Sequence, residues 1–134
     1  MPDQPEFKRF ESCLTNPEKV SYSAQMAEKT EVLNLIRSAA AKRQLFLSHA
    51  VQQMARPERM ITTGEVRSVV EGGEIIEEYP GDPRGRSFLM LGYGEGGRPV
   101  HVVCSPKKDY LAIITAYLPD AREWSHDYRV RKTT

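Results

Sequence analysis

The stretch GGEIIEEYPGDPRGRSFLMLGYGEGGRPVHVVCSPKKDYLAIITAYLP, residues 72–119, decides the fold. It holds four runs rich in β-branched and aromatic residues, at 74–79, 87–93, 98–105 and 109–118. Segments 80–86, 94–97 and 106–108 separate them, and all are dense in glycine, proline or charge. These connections are too short to hold a crossover helix, so successive strands are expected to run antiparallel, as a four-stranded meander. A period of two places Leu111, Ile113, Thr115 and Tyr117 on one face of the last strand. Tyr110, Ala112, Ile114, Ala116 and Leu118 fall on the other. Both faces are largely apolar, which predicts a strand covered on both sides or lying centrally. In the preceding strand Val100, Val102 and Cys104 alternate with His101, Val103 and Ser105.

Upstream the period changes to that of a helix. Val32, Leu33, Ile36, Ala39 and Ala40 follow i, i+1, i+4, i+7, i+8, one helical face that Met26 extends. Ser21 or Ser23 can cap this helix, which is expected to end near Lys42. The short apolar run 45–47 fits a strand or a bridge. Ser48 reads as the cap of a second helix with His49, Gln52, Gln53 and Met54, and Pro57 stops it. Thr62-x-x-Glu65 is a capping box that opens a third helix, with Val66, Val69 and Val70 on one side and Gly72 at its end. The expected architecture is α+β: N-terminal helices packed on a curved four-stranded antiparallel sheet. Residues 1–22 read as an irregular extension, 23–125 as one domain, and 126–134 as a basic tail that Trp124 folds back onto the body.

A chain of 134 residues fits one domain with one core. The formal charge of +1 excludes a uniformly basic nucleic-acid binder but leaves room for a local patch. Acids gather at Glu71, Glu74, Glu77, Glu78 and Asp82. Bases gather at Arg84, Arg86 and Arg98, at Lys107 and Lys108, and at Arg122, Arg129, Arg131 and Lys132. That division reads either as a solvated surface or as a phosphate-facing groove. Cys13 and Cys104 form no CxxC or Cys/His cluster, so no metal or other cofactor is expected and a reduced, cytoplasmic setting follows. Residues 1–10 lack the apolar centre of a secretory leader, and no run approaches the roughly 18 residues of a membrane span.

His101 lies mid-strand between valines. It reads as a half-buried structural histidine or as a general acid or base, because imidazole titrates near neutral pH. His49, at a helix start, reads as structural or as a second catalytic or phosphate-contacting group. Thr115 and Tyr117 place two hydroxyls on one strand face. Buried polar groups cost free energy unless bonded. If His101 pairs beside these hydroxyls, the three form either a closed hydrogen-bond network or a site. Metal-free RNA cleavage needs a base for the 2′-hydroxyl, an acid for the leaving oxygen and a cation for the phosphate. His101, Tyr117 and one of Arg84, Arg86 and Arg98 have the chemistry for those roles. The loop Arg84-Gly-Arg86 lets backbone approach a phosphate, or is an ordinary hairpin loop. Gly94-Glu-Gly-Gly lacks the order of a nucleotide-binding loop. His126 is expected to be solvated.

Three stretches carry a resemblance: Leu47-Ser-His-Ala50, Val69-Val-Glu-Gly-Gly-Glu-Ile-Ile-Glu-Glu-Tyr-Pro80, and Arg98-Pro-Val-His-Val-Val103 followed by Ile113-Ile-Thr-Ala-Tyr-Leu-Pro119. With Asp82-Pro83, Leu91-Gly92-Tyr93 and Trp124, they resemble a bacterial domain family of unknown function, number 4258, over about residues 30–125. That family looks like a relative of the RelE and BrnT toxins. The resemblance implies a metal-independent endoribonuclease acting on free or ribosome-bound RNA, held by a zinc-finger antitoxin. The matching polar residues are His49, His101, Thr115 and Tyr117. Gln53-Met54 departs from the family's arginine before methionine, so Arg56 or Arg59 would have to replace that arginine. Two other readings stand beside the toxin: a non-catalytic protein-binding module that keeps the fold, and a homodimeric scaffold. The catalytic reading requires His101 and Tyr117 to face a basic cleft holding at least one of Arg84, Arg86 and Arg98.

Overall fold

The computed structural model describes residues 22–132. The extension expected over 1–22, with Cys13 and the Ser21 cap, falls almost wholly outside the described residues. Helix α1 (Tyr22–Lys42) leads into β1 (Gln44–Phe46) and α2 (Ser48–Met54), then α3 (Thr63–Gly72). Four strands follow: β2 (Glu74–Tyr79), β3 (Ser87–Tyr93), β4 (Pro99–Pro106) and β5 (Leu111–Tyr117).

The sheet order is β1-β5-β4-β3-β2. The expected antiparallel meander forms β2 to β5, but the sheet has five strands and is mixed, because β1 runs parallel to β5. Three residues of β1 suffice. Leu111 N–H donates to the Arg43 carbonyl at 2.8 Å, and Leu47 N–H donates to the Ile113 carbonyl at 3.0 Å. This covers an edge that β5 would otherwise expose. Ser48 is the first residue of α2 and does not cap it. Leu47 takes the cap position without a side-chain bond. Its N–H is still committed to β5, so the chain turns from strand into helix one residue before Ser48.

The helices bury Val32, Ile36, Val66, Val69 and Val70 against Ile75, Phe88, Met90, Val102, Leu111 and Ile113 on one side of the sheet. A second apolar layer covers the other side. There Ile76, Tyr79, Leu89, Leu91, Val103 and Ile114 pack with Trp124 and Tyr128. The two-sided apolar character of β5 has its cause in these two layers.

Simple alternation fails at two bulges. Val103 pairs with Thr115 and Cys104 with Ile113, leaving Ile114 as an extra residue. Leu111 and Ile113 therefore face the helices, whereas Ile114 and Tyr117 belong to the outer layer. The expected grouping of Leu111 and Ile113 with Tyr117 is wrong for this reason: one inserted residue reverses the parity. A like slip between Ile75 and Glu77 in β2 leaves Ile76 as the extra residue, so Ile75 faces the helices while Ile76 and Glu77 both face outward.

The capping box is formed as read. Glu65 N–H donates to the Thr62 hydroxyl at 3.0 Å, and Thr62 N–H donates to the Glu65 carboxylate at 3.1 Å. Glu65 also accepts from Arg98 and from Glu95 N–H, tying the β3–β4 hairpin to the start of α3. The Arg98 hydrogen bonds, with those from backbone N–H groups, outweigh burial and bring the Glu65 carboxyl down to about 2. Thr62→Ala is expected to cost about 1 kcal/mol, read as a lower urea midpoint with unchanged slope. An unshifted midpoint would mean that the Arg98 anchor alone sets this helix start.

Candidate functional site

The outer face of the sheet holds a cleft of about 230 Å³. Its apolar floor is Val103, Ile114 and Trp124. His49 from α2, Arg84 from the β2–β3 loop and Thr115 and Tyr117 from β5 stand around it, with Glu123 and Arg131 from the C-terminal segment. The β5 bulge matters here, because it brings the consecutive residues Ile114 and Thr115 both to the cleft. A second hollow adjoins, shared through His49, Thr115, Tyr117 and Glu123, and reaching Gln53 and Arg59.

His101 lies behind this cleft, opposite Tyr117 in the β4–β5 register. It is fully buried, with its ring edge-on to Trp124 at 4.4 Å and to Tyr117 at 5.2 Å between centroids. A carbonyl can only accept, so Nε2–H donates to the Tyr128 carbonyl at 2.9 Å. That fixes the tautomer, and Nδ1 accepts from the Tyr117 hydroxyl at 3.2 Å. Burial pushes the ring's pKa down to about 4, so it is neutral at pH 7. Burial likewise holds the Tyr117 hydroxyl above the ordinary phenol range. His101 and Tyr117 thus form a closed network under the C-terminal segment, and the requirement that both face a basic cleft fails at His101. Tyr117 lines the cleft beside Arg84, whereas His101 does not reach it, so any catalytic base there has to be another residue.

The other candidate residues separate. His49 is exposed at the cleft edge. Arg84 reaches the cleft while its guanidinium grips the buried Asp82 carboxylate at 3.0 and 3.1 Å. Arg86 pairs with Glu78 and lies over the Phe88 ring at 5.0 Å, away from the cleft. Arg98 is spent on Glu65 at the far end of the sheet. Arg56 pairs with Glu58 on the surface, while Arg59 donates to Gln53 Oε1 at 3.3 Å in the hollow beside His49. Of the two arginines, Arg59 is the one that lies beside Gln53 in this hollow.

Several further placements escape a reading by spacing. Glu77 is fully buried and accepts from the Tyr79 hydroxyl at 2.7 Å and from Arg131 at 2.9 and 3.2 Å. Arg131 lies over the Trp124 ring at 4.8 Å. Strict alternation after Ile75 would turn Glu77 to the helix side, and the bulge reverses that. A free thiol, Cys104, is buried, and burial pushes it up to about 12, so it is no nucleophile at neutral pH. Among the described residues no group of three His, Cys, Asp or Glu is placed to hold a metal ion, and no helix is long and apolar enough to cross a membrane.

A family model described as "Domain of unknown function (DUF4258)" matches residues 46–118, more than half of the chain. The chain belongs to the DUF4258 family. No curated protein and no solved structure matches it. The DUF4258 segment spans His49, Arg84, Arg86, Arg98, His101, Thr115 and Tyr117. Glu123, Trp124, Tyr128 and Arg131 lie beyond it. In this DUF4258 chain the family segment therefore supplies strands β2 to β5, and a later segment closes over them.

Proposed function

We propose that this DUF4258 chain is a cytoplasmic, metal-independent endoribonuclease of the toxin kind, related to the RelE and BrnT toxins. The carrying observation is the convergence of His49, Thr115, Tyr117 and Arg84 from separate elements on one open cleft, with Arg59 beside it. His49 is exposed and takes the proton of an RNA 2′-hydroxyl. The 2′-oxygen then bonds to phosphorus and the bond to the 5′-oxygen breaks, with water supplying that oxygen's proton. The products are a 2′,3′-cyclic phosphate and a 5′-hydroxyl. Arg84, oriented by Asp82, and Arg59, oriented by Gln53, face the phosphate charge. Thr115 and Tyr117 offer hydroxyls to the ribose. A zinc-finger antitoxin covering the cleft would be the natural inhibitor.

One observation favours a second reading, a protein-binding module without chemistry. Arg84 and Arg131 are each paired with a buried carboxylate, and the His101 ring is sealed. Tightly induced expression separates the two readings through growth and total RNA. The wild type is expected to stop growth and fragment RNA. His49→Ala is expected to lower cleavage by about 100-fold or more, as for loss of a general base. Intact RNA beside folded, abundant wild-type protein would replace the enzyme with the binding module.

A further inference from the structure

The end of the sheet beyond Arg84 gathers cations from three connections that are distant in sequence. Lys42 and Arg43 join α1 to β1, Arg84 and Arg86 lie between β2 and β3, and Lys107 and Lys108 lie between β4 and β5. Hydrogen bonds hold these connections together. Lys42 Nζ donates to the Lys108 carbonyl at 3.1 Å, Lys107 Nζ donates to the Arg84 carbonyl, and the Arg43 carbonyl accepts from Leu111 N–H. Both lysines are thus anchored on neutral carbonyls and not on carboxylates. Among the described residues, no carboxylate pairs with Lys42, Arg43, Lys107 or Lys108. The acids nearby are Asp82 and Glu78, which serve Arg84 and Arg86, the exposed Asp109, and Glu71, which shares a hollow with Lys42, Arg43 and Arg67. With Arg67 beside them, seven cations therefore face four carboxylates on a chain whose total charge is only +1. The charge is local, and Arg84 belongs both to this end and to the cleft.

We infer that this basic end is a docking track for the phosphate backbone of single-stranded RNA, leading it past Arg84 into the cleft. The inference rests on the ribonuclease reading. The track adds residues outside the cleft and a substrate form, an unpaired strand. A strand is favoured over a duplex because a cleft of about 230 Å³ admits a single nucleotide and no helix. Its floor of Val103, Ile114 and Trp124 suits the face of an unstacked base. Lysines anchored by their own ammonium groups on carbonyls lose less freedom when they meet a phosphate than solvated lysines do.

The test is fluorescence anisotropy with a labelled, 2′-O-methylated oligouridylate of about 12 nucleotides, which binds but cannot be cleaved. Affinity is followed across a salt series. The wild type is expected to bind with affinity falling linearly in log salt. Lys107→Ala/Lys108→Ala should weaken binding by roughly tenfold and reduce the slope by about 1.4, the value for two single-strand phosphate contacts. Lys42→Ala/Arg43→Ala should do the same from the neighbouring connection, so misfolding of one pair leaves the test intact. Unchanged slopes in both folded pairs, or polyglutamate binding as tightly as the RNA, would overturn the track and point to an acidic protein partner. The two proposals fail differently. Cleavage of unmodified RNA with lysine-independent binding removes the track alone. Lysine-dependent binding by a wild type that never cleaves removes the nuclease and leaves the track.

Discussion

Arg131→Ala is expected to destabilise the protein by about 2–3 kcal/mol, among the largest effects of any single change at the cleft. Glu77 is fully buried, and Arg131 is the cation on it, through two nitrogens. Removing Arg131 leaves Glu77 with the Tyr79 hydroxyl as its side-chain partner, and a buried charge without its counter-ion typically costs about 3–5 kcal/mol. The expectation is set lower because the Arg131 side chain is 36% exposed, so water follows it into the space it leaves. Contact with the Trp124 ring is lost as well. Arg131→Met separates the terms, since it keeps most of the stem and removes only the charge. Replacing both partners, as Glu77→Leu with Arg131→Met, is expected to recover stability relative to Arg131→Ala, because no orphan charge is left. Urea denaturation of the four proteins reads this directly. A loss under about 0.5 kcal/mol in Arg131→Ala would show that the pair contributes register and not stability.

The same pair shows where sequence reading stops. Strand pairing from β2 to β5 was legible because glycine- and proline-rich turns leave neighbouring strands no other partner. The capping box was legible because Thr62 and Glu65 are three residues apart. Both are local signals. Strand β1 was legible only as a strand or bridge over 45–47, and its pairing was not, since three residues carry too little pattern and the partner of Gln44 is Leu111, 67 residues on. Each bulge adds one residue and hides in an apolar run such as 111–114, where either parity looks acceptable. The site divides along the same line. His49, Arg84, Thr115 and Tyr117 were named from their chemistry, and the fold brings them to one cleft. The covering of His101 depends on Trp124 and Tyr128, and the neutralising of Glu77 on Arg131, 54 residues away. No spacing rule reaches that far. Arg98 was a candidate cation for the phosphate, yet its charge answers Glu65 across 33 residues.

Acidification from pH 6.5 to pH 4 is expected to remove about 3 kcal/mol of stability through His101 alone. The ring titrates near 6.5 when unfolded and near 4 when folded, because burial disfavours its charged form and the nearby Arg131 adds to that. Between those values the unfolded chain binds the extra proton and the folded one does not. Stability from this group is therefore fully present above pH 6.5 and is lost as pH falls toward 4. The acid loss from Glu65 occupies a lower window, between about 4.5 and 2, so the two separate on a pH series. His101→Gln is the informative variant. A glutamine can donate to the Tyr128 carbonyl and accept from the Tyr117 hydroxyl, but it cannot titrate. The wild type should lose stability between pH 6.5 and 4.5, while His101→Gln should be nearly flat there and weaker overall from imperfect packing. Parallel curves for the two proteins would mean that the ring is not held neutral under Trp124 and Tyr128. The variant also bears on the chemistry. A ring with both nitrogens committed to Tyr117 and Tyr128 positions Tyr117 and exchanges no proton with RNA. RNA cleavage by His101→Gln should therefore fall far less than in His49→Ala, with its pH profile unmoved. A displaced profile would put His101 back among the groups that move the proton.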